Sequence, residues 1–255
     1  MGREKEMKLA ELTAWLDRYL EAERFSDYAP NGLQVEGKAD VRRIVTAVTA
    51  SRAAIEYAVS VGADALLVHH GWFWKGESAP VVGMKAKRMR LMMKADMSLV
   101  AYHLPLDAHP EVGNNALLAK MLGITLETRS GFYDLLHVGT LAEPVPARVF
   151  ARRVAEALGR EPQLFGDGER MVRRIGWCSG AAQGELSAAA AQGADLYLSG
   201  EISERTWHEA REEDVPYLAC GHHATECCGI KALGELLAET FPELEVSFYD
   251  DRNPV

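Results

Sequence analysis

Leu9, Leu12, Leu16 and Leu20 recur at three- and four-residue spacing, which predicts an opening amphipathic helix that packs its leucine face on the rest of the fold. The stretch SDYAPNGLQVEG (26–37) interrupts that periodicity with Pro and Asn-Gly signals and is expected to be a loop. Beyond it the blocks alternate. IVTAVTA (44–50), ADALLVHH (63–70) and MSLVAYH (97–103) are apolar runs of strand length, whereas SRAAIEYAVSVG (51–62), the segment 84–96 and NNALLAKMLG (114–123) are helical in pattern. This is βαβ grammar, and it predicts an α/β fold of mostly parallel sheets with helices on their faces.

From residue 174 the grammar starts again: strand 174–180, helix 183–193, strand 194–200, helix 203–213, strand 215–220, a helix from about Ala224, and a last strand 244–250. Aligning Ile44 with Ile175 without a gap puts Gly62-Ala63-Asp64 on Gly193-Ala194-Asp195 and His69-His70 on Gly200-Glu201. HLPLD (103–107) and HHATE (222–226) are both His-x-x-x-acid, both follow a short apolar strand and both precede an Ala/Leu-rich helix. The halves read as diverged copies, with about a dozen extra residues in the first, for which GWFWKGESAPVVG (71–83) is the natural place. Two interlinked, pseudo-symmetric α/β lobes are therefore expected, residues 1–127 and 128–255, with the C-terminal segment a candidate to pack back on the first.

A chain of 255 residues, 48% hydrophobic and 25% charged, can bury a substantial core. Its apolar runs fall short of the roughly 20 residues a bilayer span needs, and MGREKEMKLAEL has no apolar signal region, so a cytoplasmic protein with no membrane partner is expected. The net charge of −9 argues against duplex nucleic acid as a partner, because phosphate affinity comes from clustered Lys and Arg. A small molecule, including a single nucleotide, remains open. Cys178, Cys220, Cys227 and Cys228 form no CxxC pair, which indicates reduced thiols rather than a zinc ribbon or a disulfide framework.

Candidate chemistry gathers where an open parallel sheet collects ligands, at the carboxyl ends of strands. His69 and His70 end one predicted strand, His103 a second, Gly200-Glu201 a third and Gly221-His222 a fourth. Six of the eight histidines lie in 69–70, 103–109 and 222–223. His222 and Glu226, four apart, share one helix face. In HLPLD the proline argues against a helix, so His103 and Asp107 are expected to converge around a turn. His69 and His70 alternate across a regular strand and serve one cluster only if the chain bends, which Gly71 permits. Singly, each motif has an adequate structural explanation; jointly, at strand ends of a duplicated fold, they point to metal, and imidazole with carboxylate suits Zn, Fe, Mn or Ni. Trp72, Phe73 and Trp74 suit stacking on a heterocycle with Lys75 near a phosphate, and suit a subunit interface or core equally well. GNN (113–115) reads as a turn with an Asn N-cap, Asn31-Gly32 as a turn with lining of the cleft as the alternative, and Glu201 as either an acid or base near the metals or a surface residue.

SDYAPNGLQVEG, GADALLVHHGWFWKGE, HLPLDAHPEVGNN and GHHATE together closely resemble the Nif-three-like dinuclear metal-binding family, whose bacterial members are often labelled GTP cyclohydrolase 1 type 2 homologues. The four motifs occur in the expected order from about residue 26 to the C-terminus, as in the short bacterial form. The resemblance implies two divalent metal ions in a cleft between two lobes and a ring-shaped homohexamer. It makes His69, His70, Asp107, His222 and Glu226 the metal ligands, with Glu226 the bridge, and gives His103 and His223 supporting or proton-transfer roles. Cys227-Cys228, directly after Glu226, is not expected of the family. The implied activity is metal-dependent hydrolysis of a nucleotide-like heterocycle, such as imidazole-ring opening of GTP; the alternative is a non-catalytic metal-binding scaffold or regulator.

Overall fold

A computed structural model describes residues 7–255, so the N-terminal MGREKE on which the expectation of no signal segment partly rests lies outside the described residues. Two compact units divide the chain: one runs up to Leu106 and takes in Gly229–Arg252, the other is Asp107–Cys228 with Asn253–Val255. The repeat suggests a division at 127/128 instead. The difference arises because α5 and the strand after it pack with the second core, where Leu118, Leu122 and Ile124 join Phe150 and Trp177.

In the first unit, β1 (Met7–Lys8) leads into α1 (Leu9–Tyr19), whose Leu9, Leu12 and Leu16 are buried as their spacing requires. Then come β2 (Gly32–Val35), β3 (Asp40–Val41), β4 (Arg43–Thr49), α2 (Arg52–Ser60), β5 (Ala65–His70), α3 (Gly83–Lys94), β6 (Ser98–Ala101) and α4 (Leu104–Ala108). β4, β5 and β6 pair in parallel; the chain's last strand, Glu245–Phe248, joins β4 in parallel and β2 joins β6 antiparallel. β2 lies in the stretch expected to be a loop. Its four residues are too few to announce themselves, and the partner β6 supplies the ladder. α4 also departs from expectation, because Pro105 falls in its first turn, where a backbone N–H has no helical acceptor to lose.

The second unit continues with α5 (Asn114–Leu122), β7 (Ile124–Ser130), β8 (Leu136–Pro146), α6 (Ala147–Leu158), β9 (Gln163–Phe165), β10 (Met171–Trp177), α7 (Leu186–Ala191), β11 (Leu196–Ser199), α8 (Glu204–Glu212), β12 (Tyr217–Ala219) and the start of α9 (His222–Thr240), which from Gly229 on is counted with the first unit. β10, β11 and β12 are parallel, as the repeat predicts. Residues 124–165, which the repeat leaves unassigned, add antiparallel strands at both sides, giving the order β7-β8-β10-β11-β12-β9.

The duplication is visible bond by bond. Ile44 faces Ala65 and Val45 faces Leu66 in one sheet; Ile175 faces Leu196 and Gly176 faces Tyr197 in the other. Asp64 accepts hydrogen bonds from the backbone N–H of Arg42 and Arg43, both at 3.0 Å. Asp195 accepts from Arg173 and Arg174, at 3.0 and 2.8 Å. In both units a carboxylate therefore ties the start of one strand to the start of its neighbour. Among the described residues no helix is long and apolar enough to cross a membrane.

Candidate metal centre

In the first unit, His69 and His70 close β5, and His103 stands two residues past the end of β6. Their rings are neighbours, with centroids 4.5 Å apart for His69 and His70, 5.2 Å for His69 and His103, and 5.7 Å for His70 and His103. Each offers a ring nitrogen within 4.8 Å of the others. The alternation of a strand thus does not keep His69 and His70 apart at its end, before Gly71.

An oxygen on the far side orients every one of these rings. His69 Nδ1 donates to the Tyr102 carbonyl at 3.0 Å, His70 Nδ1 lies 3.3 Å from Thr49 Oγ1, and His103 Nδ1 donates to Asp27 Oδ1 at 2.8 Å. Holding Nδ1 presents Nε2 as the ligand atom, which is how metal-binding imidazoles are usually oriented. Asp27 is buried, and its other oxygen accepts from Asn31 Nδ2 at 3.0 Å and from the Leu104 N–H at 2.9 Å. Burial alone would raise its pKa, but the hydrogen bond and charge of His103, with Asn31 and Leu104, bring it below the usual carboxylate value. Asn31 Oδ1 in turn accepts from the His103 N–H at 2.8 Å. Asn31 is therefore part of the site rather than only of a turn. Asp27 is a site residue that sequence reasoning misses; its only signal there is a lone acid just ahead of Pro-Asn-Gly.

The aromatic segment divides its labour. Trp72 is core, 6% exposed, with Nε1 donating to the Ala50 carbonyl at 3.2 Å. Trp74 instead sets its ring edge-on to His103 at 5.0 Å and near His70 at 5.9 Å.

In the second unit the matching strand ends carry oxygen donors. α9 puts His222 Nε2 3.2 Å from Glu226 Oε2, as the four-residue spacing predicts. Glu201, two residues past the end of β11, accepts from His222 Nδ1 at 2.6 Å, so its place is beside the candidate ligand. Burial would lower the His222 pKa, but Glu226 and Glu201 lift it to about 9, so without a cation the ring holds a proton that a metal must displace. Asp107 is buried, with Oδ1 accepting from Asn114 Nδ2 at 2.8 Å and from Ser179 Oγ at 2.9 Å. The carboxylates of Asp107 and Glu226 approach within 4.8 Å. Two buried acids this close repel unless a cation or proton comes between them.

Gly113, not an asparagine, occupies the N-cap of α5, and no side chain caps it. Asn114 and Asn115 are both fully buried and serve the site: Asn114 holds Asp107, and Asn115 Oδ1 accepts from the Ser179 N–H at 2.9 Å. Gly180, three residues past β10, has φ +62, and a Cβ there would collide with Glu226 Oε1 and lie 3.1 Å from His222 Nε2. The missing Cβ leaves room for these two donors to stand together, and the imidazole and carboxylate set fits a divalent cation. His223, one residue on from His222, faces another side of the helix. Its backbone N–H donates to the Val255 carbonyl at 2.9 Å, and its ring lies within 4.8 Å of the Cys227 sulfur. All four cysteines are free thiols, with Cys178 and Cys220 buried, and burial pushes the pKa of both upward, so these two sulfurs stay protonated and inert.

Duplicated α/β units with histidines and acids gathered at their strand ends define a class of α/β protein whose side chains could hold a metal ion. The chain belongs to the family described as Duf34/NIF3 (NGG1p interacting factor 3), whose model matches residues 7–254. It is 52% identical over 249 residues to a GTP cyclohydrolase 1 type 2 homolog of Pseudomonas aeruginosa, covering 96% of this chain and 98% of that one. Its relative of the same description in Escherichia coli K12 is 49% identical, over 97% of this chain and all of the other. Among solved structures it is similar to protein ybgI, described as of unknown function, with TM-score 0.94 and 48% identity over 98% of this chain and 100% of that one.

Proposed function

We propose that this protein is a metal-dependent hydrolase of a nucleotide-like heterocycle, with His69, His70, Asp107, His222 and Glu226 as ligands of two divalent ions. The observation that carries the reading is the shared orientation of four imidazoles. His69, His70, His103 and His222 each have Nδ1 engaged by an oxygen, a costly arrangement to build four times near strand ends for packing alone. The relatives' description as GTP cyclohydrolase 1 type 2 homologs supports a GTP-type substrate.

Bound ions would supply Lewis acidity, lowering the pKa of water from 15.7 to about 7. The protein does the rest. Asn114 and Ser179 hold the Asp107 carboxylate still, and Glu201 fixes the tautomer of His222. Asp27 keeps the proton of His103 on Nδ1, so that Nε2 can take a proton from water and return it to the leaving nitrogen of a C–N bond. Trp74 packs edge-on against His103 and limits the positions its ring can take. His223 is the second candidate for proton transfer, and comparing His103→Gln with His223→Gln assigns the role to one of them.

Elemental analysis of protein purified without added metal should find two divalent ions, reduced in Glu226→Ala and His69→Ala. Metal-loaded protein should turn over GTP or a damaged nucleotide. Absence of turnover across nucleotides, phosphoesters and amides would sink the hydrolase reading. The second reading, a non-catalytic hexameric scaffold, is favoured by the exposed apolar run of Val81, Val82, Met84 and Met93 around α3. Under it, Glu226→Ala changes assembly; under the enzyme reading it abolishes activity and leaves assembly intact.

A further inference from the structure

In the second unit α6 ends on Gly159, which caps it in the left-handed conformation at φ 64, and the Arg160 N–H closes back on the Ala155 carbonyl at 3.2 Å. Arg160 then reaches the start of α9. Its side chain lies on Gly221, the residue before His222: a Cβ there would stand 2.7 Å from Arg160 Nε, 2.8 Å from Cδ and 3.0 Å from Cζ. Gly221 has φ +96, so only glycine serves both the turn and the contact.

The segment Asn253–Val255, which belongs to the same unit, completes the arrangement. Asn253 Oδ1 accepts the Val255 N–H at 2.9 Å and folds the segment into a turn. Two adjacent carbonyls are thereby offered: that of Pro254 accepts from Arg160 Nη1, and that of Val255 accepts the His223 N–H at 2.9 Å. The second bond meets one of the donors that a helix start leaves free.

Arg160 is half-buried, its Nε is shut from solvent without a hydrogen-bond partner, and among the described residues no carboxylate pairs with it. A guanidinium placed for solubility or for an ion pair would have water or a carboxylate around it. What this position supplies is contact, with Gly221 and with Pro254. His222 is consequently fixed from two directions. Glu201 holds its ring at Nδ1, while its backbone stands between the covered Gly221 and the bonded N–H of His223. Rotation about a freed Gly221 would swing His222 Nε2 away from Glu226 Oε2, now 3.2 Å distant.

We propose that Arg160 and the segment Asn253–Val255 form a clamp that sets His222 in place for metal, which makes Arg160 a positioning residue of the centre. The proposal rests on the reading of His222 as a metal ligand, and it adds what holds that ligand's backbone.

The test titrates metal-free protein with cobalt(II), followed by its visible absorption, in wild type, Arg160→Ala, a chain truncated after Arg252, and the two changes combined. Each single change should weaken one bound ion by about tenfold, the lower end of the loss expected for an outer partner, and alter that ion's absorption band. The combined variant should be no weaker than either single one, because residues that act through one contact are not additive. Thermal melting of the metal-free samples reports folding. Folded variants with wild-type affinity and spectrum would overturn the proposal, and so would variants that lose melting temperature alone, since that is a structural brace. If Arg160→Ala does not fold, the truncated chain, which keeps Arg160, carries the test. A wild type that takes up no cobalt removes His222 as a ligand. The Nδ1–H proton resonance of His222, held by Glu201, then reads the clamp in metal-free protein: a shift in the variants supports it and an unchanged resonance overturns it.

Discussion

Asp27 and His103 lie 76 residues apart in the chain, yet Asp27 Oδ1 accepts from His103 Nδ1 at 2.8 Å while its other oxygen receives Asn31 and the Leu104 N–H. An acid so fully engaged fixes both the tautomer and the angle of its histidine. The loop after α1 is thereby part of the site's chemistry.

Asp27→Asn removes the charge and offers His103 Nδ1 an amide in place of a carboxylate. Metal affinity or activity should fall by about 10–100-fold, the usual effect of losing such an outer partner. Elemental analysis and turnover on the same preparation read the result, and an unchanged variant would deny Asp27 a positioning role.

Gly180→Ala places a methyl group against Glu226 Oε1 and forces an alanine to adopt φ +62. The variant should lose divalent metal and melt at a lower temperature. Gly184→Ala, where a Cβ meets nothing within 4 Å, is the control and should retain both metal and stability.

His137 is buried on β8, with its ring edge against Trp177 at 5.2 Å. Burial, and then the charge of Arg129, pull its pKa down to about 4, with the Asp134 backbone opposing weakly. The unfolded chain takes up this proton near pH 6.5 and the folded one only near 4, so between those values the unfolded state binds more protons. Stability should be full above pH 6.5 and decline as pH falls toward 4, by about 3 kcal/mol from this group. Denaturant titrations across that range should show a flatter pH dependence for His137→Leu; an identical slope would mean that other groups carry the acid sensitivity.

Asp64 and Asp195 each accept two backbone N–H groups at equivalent places in the duplicated sheets. Asp64→Ala and Asp195→Ala should each cost about 1–3 kcal/mol, because the donors lose their acceptor. Chemical denaturation measures both. A large effect from one and none from the other would contradict equivalent roles.

Local signals of fixed spacing were legible in the sequence. The αβ alternation, the gap-free match of Ile44 with Ile175, and the placing of His69, His70 and His222 at strand ends follow from hydrophobic period and chain order. His222 and Glu226 could be paired from spacing because a helix brings residues four apart onto one face.

The features that tertiary structure alone decided depend on partners distant in the chain. β2 exists because β6 offers it a ladder, and the strands within 124–165 take their order from β10 and β12. Pro105 entered a helix because its position in the first turn needs no donor. Asn114 and Asn115 read as capping residues until the fold turned them onto Asp107 and Ser179. Asp27 became the partner of His103 only when strands and loops far apart in sequence were packed. A side chain's role is set by the neighbours it is buried among, and a sequence states those neighbours only when they lie within a turn or two.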